Sequence, residues 1–275
     1  MFLGLTQDYR PNSATPLGQY KQHQLLVNNQ GDFSLMTNVC PHQGSMITQC
    51  RTSQLQCPYH GWKFGLDGQG QDNQGRLDQH QIFTVNDMLL SEAIDFVPTM
   101  PLKHMTLMKH RTDLVEASVD AIMDVFLDID HISVAHAGVY DPIGLSRFDD
   151  IRIETFDQGS LQTVPAQQPP HILTEDHVRN IGAMWLAIYP GTMIEWQPGA
   201  LFVTVATNLD YKHSSVEVYK YRDVRYSQQT WTMNQQVWEK AWSQDRELSR
   251  NIVNLCMDPE EPLKRHHRAW INDAV

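Results

Sequence analysis

Between Cys40 and Phe64 the chain states one chemical theme twice, and no other stretch restricts the fold as tightly. Cys40-Pro41-His42-Gln43-Gly44 is followed by Cys57-Pro58-Tyr59-His60-Gly61-Trp62-Lys63-Phe64, with fourteen residues between His42 and Cys57. Each half offers one thiolate and one imidazole on a tight loop containing Pro and Gly. A Cys and a His separated by one or two residues chelate a single ion poorly. They can splay instead, so that Cys40 and Cys57 meet on one metal while His42 and His60 meet on another.

Two Cys and two His also suit tetrahedral zinc. Zinc sites usually begin with a Cys-Cys pair, however, and mixed Cys/His pairs favour a cluster in which His replaces Cys on one of two irons. Pro41, Gly44, Pro58 and Gly61 fit turns that bring backbone amides close to sulfur.

The whole chain has 275 residues, enough for one large domain or two modest ones. Hydrophobic content of 41% and charged content of 19% are those of an ordinary soluble globular protein. A net charge of −11 argues against a nucleic-acid backbone or an anionic membrane as partner. The apolar run Met1–Leu5 is too short for a signal peptide and lacks a basic leader. No stretch approaches the roughly 18 consecutive apolar residues of a spanning helix. Cys50 and Cys256 are left over, far apart in sequence; both are expected to be inert thiols in a reducing cytoplasm.

Residues 1–20 read as a loosely packed lead-in. Lys21–Asn28 and Phe33–Asn38 read as strands around a turn at Asn29-Gln30-Gly31-Asp32, since Gly tolerates the positive φ that a tight hairpin needs. Arg51–Gln56 is a further short strand, and Gly65–Gly70 a further turn. Residues 1–100 are thus expected to form a small β-domain presenting its ligands at loop tips. Residues 91–112, with Pro98 and Pro101, read as a passage into a second domain at 101–275. From near Asp113 a helical period begins, with Ala117, Ala121, Val125 and Ile129 at fours. Ile151–Phe156, Ala183–Tyr189, Met193–Trp196, Leu201–Asn208 and Val216–Tyr221 read as strands, punctuated at Pro165–Pro170 and Pro190-Gly191. Helix returns over Met233–Met257. A polar tail ends the chain, with His266 and His267 expected at the surface because adjacent helical residues point to different faces.

A second constellation lies in the first helical stretch, Asp124 to His136. Asp124, Asp128 and His131 fall at i, i+4 and i+7, on one face of a helix. Buried ionisable groups need partners, and two His with one carboxylate around an open iron form the facial triad of non-haem oxygenases. His131 and His136 are the candidate imidazoles. Five residues on a straight helix correspond to about 140° around its axis, so one metal can be reached only through a break or π-turn. An irregularity is expected near Ser133–Ala135. On the C-terminal helix Trp238, Trp242, Asp245, Ser249 and Ile252 share a face, and the two Trp read as core.

The motif pair Cys-Pro-His-x-Gly and Cys-Pro-Tyr-His-Gly-Trp resembles the Rieske domain of the Rieske non-haem iron oxygenases, and residues 124–136 match that family's catalytic pattern of acidic residue, Asp, His and His. The spacer between the loops is slightly shorter than the family's usual one. Respiratory Rieske proteins carry an extra Cys in each loop, where this chain has Ser45 and Tyr59. The resemblance implies an α+β chain: a small all-β Rieske domain, then a catalytic domain with an antiparallel sheet flanked by helices. It implies a 2Fe-2S cluster on Cys40, His42, Cys57 and His60, and a mononuclear Fe(II) on His131, His136 and a late-helix carboxylate. Asp245 is that carboxylate, with Glu239 and Glu247 as fallbacks. Asp128 matches the residue that links a cluster His of one subunit to an iron His of the next in a head-to-tail homotrimer. That would put Asp128 between His60 and the His131 ring, with Trp62 packed at the contact.

The activity so implied is hydroxylation of a small apolar or aromatic molecule with O₂, using electrons from NAD(P)H through a ferredoxin or flavin-dependent reductase. Leu127, Val139, Tyr140, Met193 and Phe202 are candidate pocket walls. Oxidative N- or O-demethylation, and a non-catalytic Rieske electron carrier, are the alternatives; a zinc-stabilised binding protein is the third class.

Overall fold

The computed structural model describes residues 5–17, 23–71, 77–79, 82–83, 102–145, 150–165, 181–252 and 262–274. The chain divides into two compact units, Phe2–Phe96 and Val97–Val275.

In the first unit every strand is short: β1 (Ser13–Pro16), β2 (Gln24–Asn29), β3 (Asp32–Thr37), β4 (Leu55–Gln56), β5 (Lys63–Phe64), β6 (Gln69–Gln71), β7 (Leu77–Gln79) and β8 (Ile82–Phe83). They form two sheets, ordered β1-β2-β3-β8 and β4-β5-β6-β7. The β2–β3 hairpin turns through Gln30 (φ 58°) and Gly31 (φ 105°), and the Asn28 side chain accepts from the Gly31 amide at 2.8 Å. Residues 13–16 are not a loose lead-in. They pair with β2 from Ser13↔Asn28 to Pro16↔Leu25, because Ala14 and Leu17 bury fully or nearly so. A bridge between Ala14 and Thr52 joins β1 to the segment that leads into β4. Leu25, Val27, Met36, Ile47, Leu55 and Phe64 close a core that includes Cys40 and Cys57.

The second unit is built on a seven-stranded antiparallel sheet. Its elements are β9 (Met105–Val115), α1 (Val119–Leu127), α2 (His131–Ala135), β10 (Arg152–Phe156), β11 (Gly159–Pro165), β12 (Ile181–Ile188), β13 (Thr192–Gln197), β14 (Ala200–Asn208), β15 (Ser214–Asp223), α3 (Gln228–Asn251) and α4 (Pro262–Ala274). The strand order is β10-β11-β12-β13-β14-β15-β9. Three expectations are corrected here. Residues 105–115 are an edge strand paired along β15, not linker passing into helix; the helix starts at Val119, where Ser118 caps the Ala121 amide at 3.2 Å. The strand Gly159–Pro165 was missed because its Ser, Gln and Thr side chains hide the apolar signal. The tail is a helix, α4, and His267 is wholly buried while His266 is half-buried with Nε2 2.9 Å from the Phe156 carbonyl.

α4 is held by charge. Arg268 donates to Asp124 and Lys264 to Asp128, and His267 Nε2 lies 3.9 Å from Asp120. The three Asp stand four residues apart on and just after α1, so one stripe of carboxylates faces Lys264, the neutral ring of His267 and Arg268. α3 begins at the Ser227 cap and lays Trp231, Asn234, Trp238, Ala241 and Trp242 on the sheet at threes and fours. The sheet answers with one rank of cross-strand neighbours on a single face: Gln162, Trp185, Glu195, Phe202 and Lys220. Among the described residues no helix is long and apolar enough to cross a membrane.

Candidate metal centres

The two Cys/His loops of the first unit are built alike. The Cys40 carbonyl accepts from Gly44 N–H (2.9 Å) and its amide donates to Ser45 (2.8 Å); the Cys57 carbonyl accepts from Gly61 N–H (3.0 Å) and its amide donates to Trp62 (2.7 Å). Gly44 and Gly61 close these turns at φ 70° and 73°, where a side chain would be strained. Two backbone N–H groups aim at each sulfur, from His42 and Gln43 to Cys40 and from Tyr59 and His60 to Cys57. Burial pushes the Cys40 thiol up. Burial does the same at Cys57, but the Tyr59 and His60 amides and the neighbouring Cys40 outweigh it and hold that thiol low. Both cysteines are buried, whereas His42 and His60 are exposed with ring centroids 4.6 Å apart. Two thiols inside and two imidazoles outside fit a two-metal cluster with unlike ends. Trp62 stacks on His42 at 4.9 Å. Cys50 is exposed, and Cys256 lies outside the described residues.

In the second unit α1 stops at Leu127, and Asp128 turns to extended backbone (φ −86°, ψ 105°). The chain re-enters helix at His131 and has left it by His136 (φ −107°, ψ 25°). The irregularity expected near Ser133–Ala135 falls at its edge, on His136, and a second break, which was not expected, lies at Asp128–Asp130. Asp128 and His131 do not share a continuous helix with Asp124. A helix of five residues whose last imidazole sits on its cap removes the angular conflict.

His131, His136 and Asp245 converge. The two Nε2 atoms are 3.0 Å apart, and Asp245 Oδ1 lies 3.4 Å from His131 Nε2 and 2.8 Å from His136 Nε2. Each ring has committed its other nitrogen: His131 Nδ1 donates to the Asp128 carbonyl (2.5 Å), and His136 Nδ1 to Gln244 Oε1 (2.8 Å). In the neutral rings both Nε2 atoms are then lone pairs facing each other and a buried carboxylate oxygen that receives no hydrogen bond. Three electron-pair donors at one point fit a divalent metal with two imidazoles and a carboxylate. Burial raises the Asp245 carboxyl, but the two His outweigh that and hold it below its usual range; burial would lower His136, and Asp245 turns this into a rise.

Gln244, the partner of His136, was not among the residues expected on this helix, because it lies beside the Trp238–Trp242–Asp245–Ser249 face and carries no charge. The fallback carboxylates are elsewhere. Glu239 pairs with Arg111 (2.6 Å) and with the wholly buried Lys220, and Glu247 is exposed. The Asp128 carboxylate does not meet the His131 ring. It accepts from Lys264 (2.8 Å) and the His131 backbone amide (3.2 Å), because the break at 128 turns the carbonyl toward the ring.

A cavity adjoins the triad, with about 40 Å³ in which a water-sized sphere can be centred, room for about three waters. Tyr140 and Met193 line it as expected. Leu127 and Phe202 pack instead in the main core and Val139 in a second apolar cluster; Phe202 lies under Trp231 and Trp238. Trp238 and Trp242 are buried but also form cavity wall, so the reading of them as core alone is incomplete. Ile122, Phe126, Trp185, Gln162, Thr204 and Glu195 were missed. Glu195 had a signal: a lone charge inside the apolar strand Thr192–Gln197.

Residues 2–83 match the family model of the Rieske [2Fe-2S] domain. The N-terminal unit is a Rieske domain. No curated protein matches the chain in sequence. Among solved structures, the quaternary ammonium Rieske monooxygenase CntA, described in connection with carnitine oxidation by gut microbiota and inter-subunit electron transfer, is 15% identical; the alignment covers 96% of this chain and 84% of that one with a TM-score of 0.72. Naphthalene 1,2-dioxygenase from Rhodococcus, bound to indole, is also 15% identical, with 92% and 76% covered and a TM-score of 0.68. The chain thus has the fold of Rieske oxygenase α subunits, a Rieske domain followed by an α+β unit on a large antiparallel sheet.

Proposed function

We propose that this chain is a Rieske non-haem iron oxygenase: it holds a 2Fe-2S cluster on Cys40, His42, Cys57 and His60 and a mononuclear iron on His131, His136 and Asp245. It oxidises a small organic molecule with O₂, taking electrons from NAD(P)H through a ferredoxin or flavin-dependent reductase. The observation that carries the reading is the meeting of three lone-pair donors, at 2.8–3.4 Å, on the wall of a cavity. When bound, the cluster would supply single electrons and the iron oxygen activation.

The chain's own contribution is positioning. Asp128 through its carbonyl and Gln244 through its amide fix the tautomers of His131 and His136, leaving both Nε2 atoms free to ligate. Phe126, Trp238 and Trp242 supply apolar wall to the cavity beside the triad. Asp128 has one carboxylate face on Lys264; in a homotrimer its remaining lone pairs would accept from His60 of a neighbouring subunit, now through the 128–131 backbone rather than directly through the ring.

Metal and sulfide analysis of anaerobically purified protein tests this. About three irons and two sulfides per chain are expected. Two irons and two sulfides would leave only an electron carrier, and zinc without sulfide would defeat both iron readings.

A further inference from the structure

Met193 is the one sulfur-bearing side chain among the described lining residues of the triad cavity. It is 2% exposed, so bulk solvent scarcely reaches it, yet it borders the same space as His131, His136 and Asp245. The sheet register places Thr204 directly opposite it on β14. Directly opposed residues share one face of a sheet, with Cβ atoms about 4.5–5.5 Å apart, and Thr204 lines the cavity as well. The Thr204 hydroxyl is enclosed and has no protein partner. A buried hydroxyl left in that state is costly, and the thioether across from it is only a weak acceptor.

A sulfoxide oxygen in place of the bare sulfur is a strong acceptor. We propose that Met193 is a site of oxidative modification, converted to the sulfoxide by peroxide that forms inside the cavity, with the new oxygen accepting a hydrogen bond from Thr204. This goes beyond the oxygenase reading of the cavity and rests on it. When no substrate is present, one O₂ takes two electrons, supplied by NAD(P)H through the reductase, and two protons, and is released as hydrogen peroxide. The Met193 sulfur then gives an electron pair to one peroxide oxygen. The O–O bond breaks, and the other oxygen leaves with both hydrogens as water. Thioether plus peroxide thus gives sulfoxide plus water; sulfur loses two electrons and the peroxide gains them. Other oxidisable walls are held back. Lys220 Nζ lies 4.3 Å from the Trp238 ring centre and the Arg246 guanidinium 6.0 Å from that of Trp242, and a cation beside a ring opposes removal of its electrons. The product sets a polar, chiral group in an apolar floor, so turnover without substrate turns the cavity against apolar molecules.

The test runs the three-iron protein in air with NADH and a surrogate reductase, without substrate and with catalase in the bulk. Peptide mapping by mass spectrometry follows. One added oxygen is expected at Met193 roughly tenfold more often than at Met108, which is 45% exposed. Bulk hydrogen peroxide added to metal-free protein should invert that order. An unmodified Met193, or Met108 leading in both arms, overturns the inference; Met193 leading in both arms overturns the cavity as the source of the peroxide. Oxidation in the catalase arm should lower the thermal midpoint further in Thr204→Val than in the wild type, and equal falls overturn the bond to Thr204. The peptide map decides even if that variant does not fold. Iron and sulfide are measured on the same preparation. Three irons with O₂ uptake and an unmodified Met193 defeat this inference alone; two irons without O₂ uptake defeat the oxygenase reading as well.

Discussion

Lys264 donates to the Asp128 carboxylate at 2.8 Å, so the last helix of the chain pins the residue just ahead of the His131–His136 pair. Burial would raise the Asp128 carboxyl, but Lys264 and the His131 amide outweigh it and hold it below its usual range. The contact stabilises above the unfolded carboxylate's pKa of about 4 and fades as pH falls through the lower folded value. Lys264→Met is expected to cost about 2 kcal/mol, since it leaves a half-buried carboxylate with one partner fewer. Denaturant melts at pH 7 check this, and the deficit should shrink toward pH 3.

Asp128→Asn is expected to retain both metals, because the His131 ring is held by the backbone carbonyl of this residue and not by its side chain. Coupled turnover should be largely lost. Iron content with product formation per NAD(P)H consumed distinguishes the outcomes; unimpaired coupling removes Asp128 from the electron path.

Gln244→Leu deprives His136 Nδ1 of its acceptor. Loss of such an orienting partner typically weakens metal binding about 10- to 100-fold. Fe(II) or Co(II) titration of the cluster-replete protein should show this, with Gln244→Glu close to wild type. The visible spectrum of the cluster should not change.

Glu239→Ala strands Lys220, whose side chain is 0% exposed. Uncovering a buried charge costs about 3 kcal/mol or more, which in a chain of this size lowers the thermal midpoint by roughly 6–12 °C. Iron content per folded chain should stay at the wild-type value. Loss of one iron would return Glu239 to the ligand set.

His267 is wholly buried, and burial, then the charges of Arg268 and His266, lower its pKa to about 4. The folded chain keeps it neutral while the unfolded chain protonates it below about 6.5. Stability is therefore fully present above that value and falls as pH drops from about 6.5 to about 4, by roughly 3 kcal/mol. His267→Gln should flatten the profile over that interval; an unchanged slope would place the acid sensitivity elsewhere.

The ligand loops were legible because their chemistry is local: Cys, His, Pro and Gly sit within five residues of one another, and one turn of chain satisfies them. His131, His136 and Asp245 were legible as residue types, and their convergence required only that two helices cross. The position of the helix break was not. Asp128–Asp130 carries no Gly or Pro, and the break arises because the Asp128 carbonyl takes the His131 ring instead of continuing the helix. Val139 and Phe202 failed as wall residues for a different reason. Apolar side chains near a site look alike in sequence, whether they face the void or the packing behind it, and Phe202 is turned under two indoles. α4 was hidden because its apolar positions are few and its anchoring is ionic, to carboxylates some 140 residues earlier.

The rank Gln162–Trp185–Glu195–Phe202–Lys220 draws one residue from each of five adjacent strands. Side chains alternate sides along a strand, so adding or deleting one residue within any of the five sends its member to the opposite surface. Divergence among chains of this architecture should then proceed at this floor by exchanging letters and hardly ever by changing lengths. Gln162, Trp185 and Glu195 are the members that line the cavity, so its floor is spelled across three neighbouring strands, each of which can be respelled alone.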